Sequence, residues 1–172
     1  MQIRNMALCG MFSALLCIGA WLSFPLGDVA ITLQTLGVFL CLFTLGGRRG
    51  TIAIFVYLLL GAVGLPVFSG FRGGIAALLG TTGGYLLGFL ATGLVYWLLS
   101  FLFPRHPLPV MAAGLLACYC FGSIWYYYVY TGGNSVTLGF IAAKCVLPFL
   151  LPDAVKLLLA YRLSQKLKRF VY

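Results

Sequence analysis

The chain has 172 residues, 63% of them hydrophobic and only 8% charged, with a mean hydropathy of +1.09. Soluble domains carry about 25% charged residues, so the composition excludes a soluble globular protein and defines an integral membrane protein. Eleven Lys/Arg stand against two acids, Asp28 and Asp153, for a net charge of +9; the basic residues lie at segment ends rather than in a patch, which excludes nucleic acid as the partner.

A membrane-crossing helix takes about 20 apolar residues, so the whole chain, 1–172, reads as a single transmembrane domain with little loop. There is no room for a soluble catalytic or nucleotide-binding domain, and no Gly-rich P-loop ending in Lys-Ser/Thr occurs. Any transport must draw on an ion gradient or on a partner.

Apolar runs and their punctuation predict six spans in an all-α bundle. The first runs from Met6 to Phe24 and stops at Pro25-Leu26-Gly27-Asp28. That is a poor small-residue cleavage site, so an uncleaved span is expected rather than a signal peptide. The second covers Leu33 to Leu45 and ends at Gly46-Gly47-Arg48-Arg49; the third covers Thr51 to Leu65 and ends at Pro66. Both are short for a full crossing, which predicts tilt or a distorted end. A Gly-rich stretch, Val67 to Tyr85, leads into a fourth span reaching Phe103. After the turn Pro104-Arg105-His106-Pro107, a fifth span runs from Val110 to Tyr130. Beyond Thr131-Gly132-Gly133-Asn134 comes a hydrophobic lead-in, Val136 to Leu147, and a last helix from Pro152 to Arg169. Turns this tight make neighbouring helices antiparallel.

The positive-inside rule orients the bundle. With the N-terminus inside, Arg4, Arg48, Arg49, Arg105, Arg162, Lys166, Lys168 and Arg169 are cytoplasmic and Arg72 alone is in an outer loop. Lys144 and Lys156 lie within apolar segments and do not vote. The expected topology is N-in/C-in, with Asp28, Arg72 and the start of the last helix facing outward.

Asp153 follows Pro152, a residue suited to a helix's first turn, where the helix dipole favours a carboxylate. Helix initiation is therefore one reading of Asp153. The other starts from its apolar surroundings, Leu147 to Leu151 and Ala154 to Leu157: an ionisable group there is a functional candidate. Lys156 shares its helix face, three residues on. The two can form an internal ion pair, or divide a site in which Asp153 accepts ligand N–H groups and Lys156 meets an anion.

The stretch Gly64-Leu65-Pro66-Val67-Phe68-Ser69-Gly70-Phe71-Arg72-Gly73-Gly74 and its continuation Gly80-Thr81-Thr82-Gly83-Gly84-Tyr85 permit positive φ and close backbone approach. Non-helical backbone at membrane depth must be buried or line a cavity. A re-entrant ligand loop and tight helix packing both fit. Thr32, Gln34 and Thr35 place polar groups at the outer end of the second span, and Gln34 offers both donor and acceptor to an amide- or urea-like group. Trp125 to Tyr130 reads first as an interfacial aromatic belt. On the first helix Gly10 and Ala14, flanked by Ala7, Ser13 and Cys17, form a small-residue face that allows close helix–helix contact, internal or with another membrane protein. The six cysteines all sit in apolar runs without a CxxC pair and read as packing residues. His106 has no companion ligand, and two acids cannot supply paired carboxylates, so metal sites and enzyme chemistry are not expected.

These pieces occur in an order that resembles the BioY family, the biotin-specific S components of energy-coupling factor (ECF) transporters. The residues that carry the resemblance are Thr32-Leu33-Gln34-Thr35, Gly64-Leu65-Pro66-Val67-Phe68, Gly80-Thr81-Thr82-Gly83-Gly84-Tyr85 and Pro148-Phe149-Leu150-Leu151-Pro152-Asp153-x-x-Lys156. The resemblance implies a compact S-component-like bundle of six transmembrane helices in the plasma membrane that captures biotin from outside. It further implies docking on an ECF transmembrane coupling subunit attached to two ATPase subunits, with Gly10 and Ala14 on the docking face and Met11 as a bulky interruption. Biotin is then the transported ligand and no cofactor is expected. Asp153 matches the family aspartate that holds the ureido ring, and Lys156 the lysine one turn on. Relatives place an Asn near the Gly-rich segment and commonly a Pro at the position of Thr81; this chain has neither, so Thr81 or Thr82 is the expected replacement. Biotin's chemistry suits the residues: Asp153 can accept the urea N–H groups, and Gln34 or Thr82 can donate to its carbonyl. Phe68 and Tyr85 can cover the bicycle, and Lys156 or Arg72 can meet the carboxylate. A urea buried without such partners would be costly. The alternative from another class is a self-contained ion-coupled carrier, which needs a titratable relay across the membrane.

Overall fold

The structure, a computed structural model, describes residues 3–26, 29–131 and 138–171. Asp28, most of the turn expected at Thr131 to Asn134 and the side chain of Lys144 lie outside the described residues.

Helix α1 spans Ile3–Trp21. The chain then forms a two-stranded antiparallel hairpin, β1 Ser23–Leu26 and β2 Val29–Thr32, in the register Ser23↔Thr32 to Leu26↔Val29. The hairpin is a small addition to the expected all-α bundle. The first run ends at Trp21, because Pro25 cannot continue a helix, and the β-branched residues of Val29–Thr32 suit a strand.

Helix α2 spans Gln34–Ala62 but is broken at Gly46, where φ is 80° and ψ 171°. Only glycine adopts such angles readily. The chain reverses there. Cys41 Sγ donates to the Gly50 carbonyl at 3.7 Å, and Gln34 Nε2 to Tyr57 Oη at 2.6 Å. In a straight helix those last two residues would be about 34 Å apart. The two arms of α2, 34–45 and 47–62, are thus the expected second and third spans packed antiparallel.

The Gly-rich connection holds a short 3-10 turn, Ser69–Phe71, and α3, Ile75–Leu79. Helices α4, Gly83–Leu102, and α5, Pro107–Thr131, follow. They pack through small residues: Thr92 Oγ1 donates to Gly88 O at 3.0 Å and across the interface to Gly114 O at 3.1 Å. Close approach of this kind is how helices associate where lipid removes the hydrophobic drive. After α6, Leu138–Cys145, the last helix α7 spans Leu147–Val171.

Six long helical stretches therefore make the bundle: α1, the two arms of α2, α4, α5 and α7. Of the helices, α1, α2, α4 and α5 are long and apolar enough to cross a membrane; α7 carries Arg162, Lys166, Lys168 and Arg169 in its second half. Its buried stripe is Asp153, Lys156, Ala160 and Ser164, while Leu151, Val155, Leu158, Leu159 and Leu163 are exposed. Polar and small residues face the bundle and leucines face outward, as lipid requires.

The predicted start of the last helix at Pro152 is corrected to Leu147, with Phe149 N donating to Val146 O at 3.0 Å. Pro148 takes the first-turn position where a missing N–H costs nothing, and Pro152 lies inside the helix. Asp153 is therefore in the second turn, and helix initiation does not account for it.

Candidate functional site

Three elements bring their polar side chains to one point. The inward stripe of α7 supplies Asp153 and Lys156, the first turn of α2 supplies Thr35, and the middle of α5 supplies Tyr119. Asp153 is 2% exposed and Lys156 7%. Lys156 Nζ meets Asp153 Oδ1 at 2.8 Å and donates to Thr35 Oγ1 at 3.0 Å. Thr35 in turn donates to Asp153 Oδ1 at 2.8 Å, and Tyr119 Oη donates to Asp153 Oδ2 at 2.7 Å. Each hydroxyl can do this only in one sense: Thr35 receives from the ammonium and gives to the carboxylate. The buried charge is thus compensated by one cation and two hydroxyls, which is what makes its burial tolerable.

This cluster forms part of the wall of a cavity that is open at one mouth. Phe68, Tyr85, Leu86, Phe89, Leu115 and Phe149 give it aromatic and aliphatic walls, while Thr32, Gln34, Ser69, Thr82 and Arg72 add polar groups. Among the described residues no group of three or more His, Cys, Asp or Glu is placed to hold a metal.

Of the residues singled out in the sequence, Asp153, Lys156, Gln34, Thr82, Tyr85, Phe68 and Arg72 all line this cavity. Thr81 does not line it. It lines a shallow recess beside the mouth together with Arg72, Gly80 and Thr82. The tight turn closed by Gly83 N on Gly80 O, 3.0 Å, carries both threonines, and Thr82 alone of the two also reaches the main cavity. Gly10 and Ala14 are exposed on α1. Their expected flankers Ser13 and Cys17 are buried beside them, where the helix turns into the bundle, with Ser13 donating to Ala53 O at 2.8 Å; the exposed small-residue face is narrower than expected. Five cysteines are buried and Cys120 is exposed, all as free thiols.

The Gly-rich loop is fastened to the cavity by aromatic residues. Tyr57 accepts from Gln34 and donates to Val67 O at 3.2 Å. Because the Tyr57 proton is committed to Val67, Gln34 must present its NH2 to Tyr57. The Phe68 ring packs edge-on against Tyr57, centroids 5.6 Å apart, and over Gly61, where a Cβ would overlap the ring. Trp21 Nε1 donates to Pro66 O at 2.9 Å, and the Trp21 ring stacks on Phe71 at 5.2 Å. Phe71 has a positive φ of 56°, and the stacking holds it there. Arg72 follows, its Nε donating to Ser69 O at 3.2 Å.

Sequence reasoning missed Tyr119 and underused Thr35. Tyr119 stands between Cys118 and Cys120, deep in an apolar run and away from the aromatic belt. A hydroxyl so placed needs a partner, and that was the available signal. The belt itself is only partly interfacial. Trp125 Nε1 ties to Gly80 O at 3.0 Å and Tyr126 is fully buried, whereas Tyr128 is exposed.

Fold and cavity together define a multi-pass helical membrane protein whose bundle holds an open cavity with a compensated carboxylate, Asp153, in its wall. A model of the BioY family matches residues 1–172, and the chain belongs to the BioY family, a family of transport proteins rather than enzymes. It is 40% identical over 170 residues to the biotin transporter BioY of Thermotoga maritima, covering 97% of both chains. It is 36% identical to a probable biotin transporter BioY of Pyrococcus horikoshii, covering 98% of both. Its fold matches a crystal structure of the S-component for biotin from an ECF-type ABC transporter, with a TM-score of 0.85 and 24% identity over 97% of this chain and 92% of that one.

Proposed function

We propose that the chain is a biotin-binding S component that captures the vitamin in the cavity walled by Asp153 and delivers it inward through an ECF module. The observation that carries this reading is the buried carboxylate. Three donors satisfy it, yet Oδ2 accepts only Tyr119 in the closed cluster, so a lone pair remains for a ligand N–H. The third N–H of Lys156 and the second amide hydrogen of Gln34 are donors suited to a urea carbonyl. Phe68, Tyr85 and Phe89 offer aromatic surface to an apolar bicycle.

In this reading the mouth faces outward and the chain is N-in/C-in. Arg4, Arg48, Arg49, Arg105 and the basic end of α7 gather at the end of the bundle opposite the cavity; Cys9 Sγ at 3.6 Å from Arg49 O ties the start of α1 to the turn of α2. The partners are a transmembrane coupling subunit and two ATPase subunits, with the exposed Gly10 and Ala14 on the docking face. Supporting this over a self-contained ion-coupled carrier, Asp153 and Lys156 pair with each other at one end of the bundle rather than marking steps across it.

The test is isothermal titration of the purified protein with biotin and with thiamine. Biotin binds and thiamine does not; Asp153→Asn loses most of the affinity. Thiamine binding without biotin binding overturns the proposal, and full affinity in Asp153→Asn removes that residue from the site.

A further inference from the structure

Three charged side chains line the cavity among the described residues: Asp153, Lys156 and Arg72. The first two neutralise each other at depth, and Lys156 has given two of its three N–H groups to Asp153 and Thr35. Drawing Lys156 toward a ligand anion would strip a buried carboxylate of its counter-charge, which low-dielectric surroundings penalise heavily. Arg72 is different. It is exposed at the mouth and uses only Nε within the loop, and its terminal nitrogens have no partner among the described residues. It lines both the main cavity and the adjoining recess, as does Thr82, and Thr81 lines the recess with them. The position of Arg72 is built in: the Phe68 N to Arg72 O bond of 2.9 Å and the Trp21–Phe71 stack fix the turn that carries it.

We propose that the recess formed by Arg72, Thr81 and Thr82 is an anion subsite that receives the ligand's carboxylate tail, so that Arg72 rather than Lys156 reads the tail's charge. This rests on the reading of a ligand with a urea head and a carboxylate tail. The head engages the deep cluster, and the tail points outward across Thr82 into the recess. A guanidinium with two free nitrogens can grip both carboxylate oxygens, and the threonine hydroxyls can add donors. The site is thus charged at the mouth and neutral at the bottom, which admits anions and orients them head-first.

The experiment compares biotin with its methyl ester, which keeps the head and removes the charge. Wild type prefers the acid by about tenfold, the worth of one charge-assisted contact at an exposed mouth. Arg72→Gln abolishes the preference while still binding the ester, and Arg72→Lys restores part of it. In Lys156→Gln both forms weaken together and the ratio persists. Salt supplies a readout that needs no variant. Screening shortens from about 8 Å at 0.15 M to about 3 Å at 1 M, so the wild-type preference shrinks several-fold if it comes from the exposed Arg72. An unchanged ratio in Arg72→Gln, a ratio lost in Lys156→Gln, or a salt-independent preference each overturns the subsite while leaving biotin binding in place. Wild type that binds neither form overturns the function as well.

Discussion

Asp153 is buried with an opposite charge three residues away on the same helix face, and the energetics of that pair govern what substitutions there do. Removing one partner leaves an uncompensated buried charge, a loss of about 3–5 kcal/mol, whereas replacing both by apolar residues is often neutral or stabilising. Asp153→Asn and Lys156→Gln should therefore each lower the melting temperature in detergent, and the double variant Asp153→Leu/Lys156→Met should recover it while failing to bind biotin. A double variant no more stable than either single one would show that the pair is not what holds this wall. Tyr119→Phe removes a hydrogen bond to a charged group, a contact worth about 1.5–3 kcal/mol; loss of affinity or stability by roughly tenfold or more is expected in titration and melting experiments. The isolation of Asp153 in an apolar segment was legible from its neighbours in sequence. Its partners Thr35 and Tyr119 are 118 and 34 residues away, and nothing local announces such a pairing.

At the scale of elements, the reversal inside α2 positions Gln34 against Tyr57 and so fixes one side of the cavity. It depends on Gly46, whose φ of 80° and ψ of 171° lie in a region essentially reserved for glycine, at a cost of about 1–3 kcal/mol for other residues. Nothing would crowd a Cβ there, so the penalty is purely conformational. Gly46→Ala should lower the thermal stability accordingly, and the same change at Gly10, which is helical and open, should not. Equal melting temperatures for Gly46→Ala and wild type would show that the turn has another solution. The turn was readable from Gly46-Gly47-Arg48-Arg49 because two glycines and two charges interrupt an apolar run. The hairpin Ser23–Leu26/Val29–Thr32 was not, since four-residue strands carry too little periodicity to stand out. The start of α7 was misplaced because two prolines, Pro148 and Pro152, both fit a first turn, and only the packing of Asp153 into the bundle selects the earlier one.

For the whole molecule, the gathering of Arg4, Arg48, Arg49, Arg105 and the basic second half of α7 at one end of the bundle, with the cavity at the other, turns the orientation into a testable statement. In a variant lacking the native cysteines, Ile75→Cys on exposed α3 should react with a membrane-impermeant thiol reagent added to intact cells. Arg105→Cys, in the turn between α4 and α5, should react only after the cells are opened. The reverse pattern would invert the topology. By itself the sequence determined the membrane class, the six-stretch bundle, the basic end and Asp153 as an acid set in an apolar segment, because lipid imposes those features through composition and hydropathy along the chain. Only the tertiary structure decided which polar groups meet Asp153, that Lys156 is held by Asp153 and Thr35, and that Thr81 belongs to the mouth rather than the main cavity. Hydrogen-bond partners are set by the packing of helices distant in sequence, and no local pattern encodes that distance.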